Sequence, residues 1–220
     1  VPVSVIVAVH NGAAVVRGKL LDLFAQDYPP DLFEIIVADD GSTDGTSAIV
    51  EDCAATRPVR LVRIEHRGGK ELAQSTAVAA ARGEILVFTD VGTAMDPHGV
   101  SAILRSFADP SVGCVSSTDR FLTAGGQPAG EGLYVRYEML LRRLEMRVGS
   151  TVGMSGSFFA ARRDVCRDFS TSLPSDFRTV INAVRLGLRA VSDHAHQHGL
   201  KTLLWFEPER VTADTWLTQN

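Results

Sequence analysis

An apolar run that ends in two adjacent carboxylates and a glycine-rich turn constrains this chain more than any other segment. Residues 35–46 read IIVADDGSTDGT. Ile35, Ile36 and Val37 are β-branched and suit a buried, pleated strand, which leaves Asp39 and Asp40 at its carboxyl end. Gly41, Ser42, Thr43, Asp44 and Gly45 supply turn chemistry, and Asp44 or Thr46 can cap a following helix. Ligands of open α/β sheets sit in the crevice outside the carboxyl ends of the strands. Acceptor-only side chains at such an edge suit the N–H groups of a base and the hydroxyls of a ribose. The same residues also read as an Asp-rich turn that does no more than cap a helix.

The pattern recurs on both sides of this junction. Val3–Val9 reads as a strand that ends in His10, Asn11 and Gly12. A helix over 13–26 follows, with Leu20, Leu21 and Phe24 as its apolar side, and Tyr28, Pro29 and Pro30 stop it. Strands are predicted over 33–38, 59–64 and 84–88, and helices over 46–56 and 71–82, the latter ended by Gly83 in the C′ manner. Between the third strand and its helix lies a basic turn, HRGGK at 66–70. Strand and helix in alternation predict an α/β fold with a mostly parallel central sheet and helices on both faces. His10–Gly12, Asp39–Ser42 and Asp90–Thr93 then share one edge of that sheet. Further on, 112–116 reads as a strand and 123–132 as a loop. A long amphipathic helix is predicted over 134–148, with Tyr134, Tyr137, Leu141, Leu144 and Val148 on one face. Ser155, Gly156 and Ser157 lead into a strand, FFAARR. A last helix over 175–186 turns Phe177, Val180, Ile181 and Val184 inward and is closed by Gly187.

Composition excludes several function classes. A chain of 220 residues fits one α/β domain. A net charge of -4 leaves no basic footprint for nucleic acid. Cys53, Cys114 and Cys166 are odd in number and lack metal-ligand spacing, which reads as buried thiols in a reducing compartment. No apolar run approaches the ~20 residues of a membrane span. There is no signal peptide, and the start at Val1 without Met reads as an excised piece.

VSVIVAVHNG, QDYPP, FEIIVADDGSTDGT, RGGK and RGEILVFTD, in that order, resemble the inverting family 2 glycosyltransferases, whose fold is the Rossmann-like GT-A type. EGLYVRYEMLLRRLE, VGMSGSFFAARR and LPSDF are similar to the bacterial, membrane-associated branch of that family. The resemblance covers residues 1–193 as one GT-A catalytic domain. It implies transfer of a sugar, with inversion, from a nucleotide-sugar donor of the UDP-sugar kind to a glycan or lipid-linked acceptor. It also implies polysaccharide or cell-envelope synthesis, by a cytoplasmic domain at the inner face of the bacterial membrane. The parent protein would be tethered to that membrane through segments absent here.

The resemblance assigns roles position by position. His10 and Asn11 would contact the nucleotide; His10 stands where the family often has Tyr, and Gly12 where an acidic residue is common. Asp39 and Asp40 match the carboxylates that hold uracil and ribose. Arg67 and Lys70 flank the RGGK turn near the sugar or diphosphate, although Lys70 also reads as a solvated surface lysine. Asp90 matches the first Asp of the metal-binding Asp-x-Asp motif, but the triplet here is Asp90-Val91-Gly92 and the second carboxylate is missing. A divalent Mg²⁺ or Mn²⁺ prefers carboxylate and phosphate oxygens. The ion would therefore rest on Asp90 and the diphosphate, with Asp96 in support, or a Lys or Arg would replace it as the charge clamp. Asp176 falls where the family places its general base, with Ser175 in place of a neighbouring acidic residue. Inversion requires such a base within reach of the acceptor hydroxyl. As a first-turn residue, Asp176 is expected to have a depressed pKa. Glu131, Tyr134, Tyr137 and Glu138 would face the acceptor, although both tyrosines read more readily as helix packing. Ser155, Gly156 and Ser157 would form its floor, or a plain turn into the strand.

From residue 194 the family pattern breaks. HAHQHGLKTLLWFEPERVTADTWLTQN is similar to a barrel-strand segment of bacterial α-galactosidases. It cannot fold alone, so 194–220 is read as a divergent tail, not an independent domain. The resemblance implies a chimeric chain; coincidence in a divergent tail is the alternative. Glu207 and Glu209 receive no catalytic role, because their partner carboxylates would belong to a missing barrel. Two other functions fit parts of the pattern. A sugar-nucleotide nucleotidyltransferase wants a glycine-rich, basic loop directly after the first strand, and HNGAAVVRGK fits it poorly. A non-catalytic nucleotide-binding relic accommodates Gly92, Ser175 and the tail.

Overall fold

The structure is a computed structural model, and it describes residues 1–117, 119–120, 154–167, 173–192 and 202–203. Seven strands form one sheet in the order β3-β2-β1-β4-β7-β5-β8. They are β1 (Val3–Val9), β2 (Phe33–Asp40), β3 (Val59–Ile64), β4 (Ile85–Asp90), β5 (Val112–Ser116), β7 (Phe158–Arg162) and β8 (Arg189–Ser192). The short strands β6 (Asp119–Arg120) and β9 (Thr202–Leu203) pair in parallel as a separate ladder. Every pairing in the large sheet is parallel except those of β7, which runs against β4 and β5. The sheet is therefore mixed but mostly parallel, as the alternation predicts. Phe88 and Phe159 stand opposite each other across β4 and β7, stacked with their centroids 4.5 Å apart.

Alternation along the strands builds two cores. Val3, Val5, Val7 and Val9 face one side with Val16, Leu20 and Leu23 of α1 (Val16–Phe24), Val50 of α2 (Thr46–Ala54) and Ile103 of α4 (Gly99–Arg105). Ile6, Ile36 and Phe88 face the other with Ala73 and Ala77 of α3 (Lys70–Ala80) and Val180 and Ala183 of α5 (Ser175–Arg185). Helices thus cover both faces. Small alanines on α3 let that helix lie close to the central strands.

Several local expectations are corrected. The first helix begins at Val16, not Ala13, and its buried stripe is Val16, Lys19, Leu20 and Leu23; Leu21 is 62% exposed. The second strand runs on through Asp39 and Asp40, which are paired with Arg63 and Ile64 of β3. Gly83 is not a left-handed helix cap: α3 ends at Ala80, followed by extended backbone at Ala81. Gly83 is needed because a Cβ there would run into the backbone of Val3 and Ser4. In α5, Phe177 and Val184 point outward, and Ser175, Thr179, Val180 and Ala183 form the buried face. Gly187, at φ +71°, follows that helix as expected. No helix among the described residues is long and apolar enough to cross a membrane.

Candidate active site

The carboxyl ends of β1, β2 and β4 lie on one edge, and the start of β7 joins them because that strand runs the other way. The end of β5 and the residues before β7 are tied together there: Ser155 N donates to Ser116 Oγ at 2.8 Å. The N-terminus of α5 completes the ring; that helix leads to the opposite edge, and β8 returns from there parallel to β5.

Asp39 and Asp40 are both buried, and their carboxylates are used to hold the turns of this edge. Asp39 accepts from Ser42 N at 2.9 Å and from the Ser47 hydroxyl on α2. Asp40 accepts from Gly68 N at 2.7 Å and Gly69 N at 2.9 Å, so it carries the RGGK turn on its two oxygens. Gly41, at φ +68°, permits this approach, since a Cβ there would lie 2.8 Å from Arg67 N. Asp44 accepts from the Thr46 backbone N–H and hydroxyl and from Ala13 N. Those bonds, the Thr46 side chain first, hold its carboxyl below the ordinary range. The turn after β1 is fixed to the same loop. Asn11, at φ +50°, accepts from Thr43 N at 2.9 Å through its side chain and donates its own N–H to Ser42 Oγ. His10 Nδ1 stands 2.7 Å from the Asp40 carbonyl oxygen; a carbonyl only accepts, so Nδ1 carries the proton and Nε2 takes the bond from Asn11 Nδ2. Arg67 is exposed on the rim.

Lys70 is no solvated surface lysine. It opens α3, where a cation opposes the helix dipole, and its placement is explained by its partners. Nζ lies 2.6 Å from Asp90 Oδ1 and donates to the Gly156 carbonyl at 3.0 Å. Gly156 in turn lies against Asp176: a Cβ at 156 would be 3.3 Å from Asp176 Oδ2. Lys70, Asp90, Gly156 and Asp176 therefore form one continuous group. Burial raises the Asp176 carboxyl above its ordinary range, outweighing the Phe177 N–H and the Lys70 charge, which lower it. This reverses the expectation from its helix position, because desolvation acts on the whole carboxylate and the helix end supplies one 2.9 Å bond from Phe177 N. Ser155 is buried, Ser157 is partly exposed, and the Ser157 carbonyl accepts from Asp90 N. Glu131, Tyr134, Tyr137 and Glu138 lie outside the described residues.

Among the described residues no three acidic, His or Cys side chains gather as a metal cage. Asp96 is drawn away: its carboxylate accepts from His98 N and starts the turn into α4. The donor set that remains is Asp90 alone, which suits an ion held by one carboxylate and substrate phosphates. A side chain at Gly92 would meet nothing within 4 Å, so the place of the missing second carboxylate is open space. One residue of the site was missed in the sequence: Lys19, 3% exposed, donates to Thr89 Oγ1 at 2.7 Å and to the Thr93 carbonyl at 2.8 Å, beneath Asp90. Burial lowers it to about 7, against the charges of Asp22 and Asp90. A lysine within the i, i+3, i+4, i+7 stripe Val16, Lys19, Leu20, Leu23 was the available signal.

A mostly parallel sheet with acidic strand ends and a lysine-bearing glycine turn on one edge defines an open α/β protein with its ligand crevice at the strand carboxyl ends. Residues 4–169 match the family model described as Glycosyl transferase family 2, and the chain belongs to that family. It is 38% identical over 87 residues to the uncharacterized glycosyltransferase YfnE of Bacillus subtilis, covering 40% of this chain and 22% of that one. It is 24% identical over 170 residues to the poly-β-1,6-N-acetyl-D-glucosamine synthase of Staphylococcus epidermidis, covering 76% of this chain and 40% of that one. Among solved structures it resembles the mannosyltransferase PcManGT of Pyrobaculum calidifontis, in complex with GDP-Man and Mn²⁺, at TM-score 0.78 and 29% identity. That likeness covers 95% of this chain and 58% of the other. The chain thus spans less than half the length of these curated relatives. The comparisons support neither a chimera nor the membrane-associated branch.

Proposed function

We propose that this domain transfers a hexosyl group from a nucleoside diphosphate sugar, a UDP-sugar, to a hydroxyl of a glycan or lipid-linked acceptor with inversion. The observation that carries this reading is the Lys70 ammonium set between Asp90 and the Gly156 carbonyl, beside Asp176. In this reading the base and ribose lie against the turns that Asp39, Asp40, His10 and Asn11 organise, and the diphosphate lies toward Lys70 and Asp90, with Arg67 on the rim. Asp176 removes the acceptor proton as the acceptor oxygen bonds to the anomeric carbon and the bond to the diphosphate oxygen breaks. The raised carboxyl makes Asp176 a better base than an ordinary aspartate. Lys70 stabilises charge that grows on the departing diphosphate, a contribution that is largest in a preorganised, water-poor site. Asp90 would hold a divalent ion, which when bound would supply positive charge to the diphosphate. Ser155, Gly156 and Ser157 form the acceptor side, and the sequence resemblance adds Glu131 to it. Membrane tethering of the parent at the cytoplasmic face, in envelope polysaccharide synthesis, follows from the sequence resemblance.

Calorimetric titration of UDP, GDP and UDP-hexoses, with and without Mn²⁺, tests the donor site, alongside release of UDP by slow donor hydrolysis. Saturable UDP binding weakened at least tenfold in Lys70→Met is the expected result. No binding of either nucleotide to a demonstrably folded chain refutes the reading. Preference for GDP would move the donor toward the one seen with the archaeal mannosyltransferase.

A further inference from the structure

Lys19 lies outside every motif that led to the site, yet among the described residues it is the most deeply buried cation near it. Burying an ammonium costs several kcal/mol unless it is fully engaged. The position sits in an apolar stripe, where Leu or Met would pack at no such cost. What Lys19 gains is specific. Its two bonds reach Thr89, the residue before Asp90, and the carbonyl of Thr93, three residues after it. The same turn is closed from within by Thr93 N donating to the Asp90 carbonyl at 3.2 Å. From outside, Asp90 is held by Lys70 and by the Ser157 carbonyl. Lys19 is thus the one contact that grips both ends of the turn from the core side among these bonds. It is anchored on α1, a helix packed on β1 and α2 by Val16, Leu20 and Leu23.

We propose that Lys19 is a positioning residue for donor chemistry: a buried strap from α1 that fixes the Thr89–Thr93 turn and so holds the Asp90 carboxylate where the diphosphate is received. This rests on the donor reading above. Lys19 does not reach substrate, because Thr89 and Thr93 lie between. Its charge also faces Asp22 on its own helix and Asp90 above. A displacement of about 1 Å in such a support costs on the order of 10²-fold in rate.

The test is Lys19→Met in the whole chain, read by four measurements: thermal midpoint, UDP affinity, UDP-hexose hydrolysis as kcat and donor KM, and amide hydrogen exchange. Loss of the buried charge and loss of two bonds act in opposite directions on stability, so the midpoint is expected to change little. Exchange over residues 90–95 is expected to quicken at least tenfold, with β1 and β2 unchanged. The kcat should fall at least tenfold, while donor KM and UDP affinity stay within threefold. A kcat within twofold of the parent overturns the proposal. So does a fall in kcat with unchanged exchange at 90–95, and so does exchange that quickens across the whole sheet, which marks a merely structural residue. Should Lys19→Met fail to fold, Thr89→Val removes one acceptor and leaves the lysine. It is expected to give the same split at about threefold, and no split there overturns the proposal. A parent chain that binds no UDP and releases none from UDP-hexose overturns the donor reading and this inference together. A parent that does both, with unaltered variants, overturns the inference alone.

Discussion

Replacing Asp40 by asparagine separates two roles of one carboxylate, support of a turn and contact with a ligand. Its oxygens accept from Gly68 N and Gly69 N at 2.7 and 2.9 Å, and the side chain is 3% exposed. Asparagine has the same shape but one acceptor oxygen; its NH₂ would face one of the two glycine N–H groups. Bonds to a charged acceptor contribute about 1.5–3 kcal/mol each. One of them becomes a neutral bond and the other a donor–donor opposition, partly relieved by water because Gly68 is exposed. The expected cost is about 2–4 kcal/mol in the ligand-free protein. For a chain of this size that is a fall of roughly 6–12 °C in thermal midpoint. Calorimetry of parent and Asp40→Asn without nucleotide measures it, and titration of UDP should show weaker binding in parallel. A carboxylate that only contacted ligand would cost affinity and leave the midpoint alone. A midpoint shift below about 2 °C, equivalent to less than 1 kcal/mol, with UDP binding lost, refutes the claim that Asp40 carries the RGGK turn.

Three further outcomes are expected. Asp176→Asn should lower donor turnover with acceptor by about 10²–10⁴-fold, and the parent's activity should fall toward acid through a pKa above the ordinary aspartate range. Because burial raises that carboxyl in the folded state, the folded chain holds its proton more tightly than the unfolded chain does. The Asp176 contribution to stability is therefore lost as pH rises from the unfolded pKa through the folded one, and Asp176→Asn should melt no lower than the parent at pH 7. Gly156→Ala places a Cβ 3.3 Å from Asp176 Oδ2 and should reduce turnover about tenfold by moving the base, with UDP affinity unchanged by calorimetry. Gly92→Asp, whose side chain enters open space, should supply the second carboxylate and lower the Mn²⁺ concentration that half-saturates UDP binding; an unchanged midpoint in that titration would count against an ion at Asp90.

The order of elements was legible because period-2 and period-3.6 apolar patterns survive in short windows. Val3–Val9 and the strand over 59–64 have the predicted bounds. What the pattern does not encode is contact between segments remote in the chain. Gly83 looked like a helix stop from its neighbours, yet its partner is Ser4 on β1. Leu21 and Phe177 were read as core by residue type, but the axis of each helix is set by its whole stripe, and polar Lys19, Ser175 and Thr179 take the inward places. The reversal of β7 follows from where its segment starts: β5 ends at the site edge, and residues 154–157, which lead into β7, lie at that same edge.

The same distinction explains the site. Position at a strand end was legible in the sequence: His10, Asn11, Asp39, Asp40 and Asp90 all stand where alternation places them. Their bonding partners were not, because a carboxylate at a strand end satisfies equally a ligand N–H or a backbone N–H of a neighbouring turn. Asp39 and Asp40 spend part of their accepting capacity on Ser42, Ser47, Gly68 and Gly69, so the turns are shaped before any nucleotide arrives. That arrangement lowers the ordering cost of binding. It also implies that a substitution in these turns should act on affinity through the ligand-free state. The group around Lys70 differs: Asp90 is paired with Lys70, and a donor diphosphate that draws on the same ammonium must share it with that carboxylate. In the proposed donor reading, pre-shaped turns serve the nucleoside and a shared charge serves the diphosphate, which places the two halves of one donor under separate control.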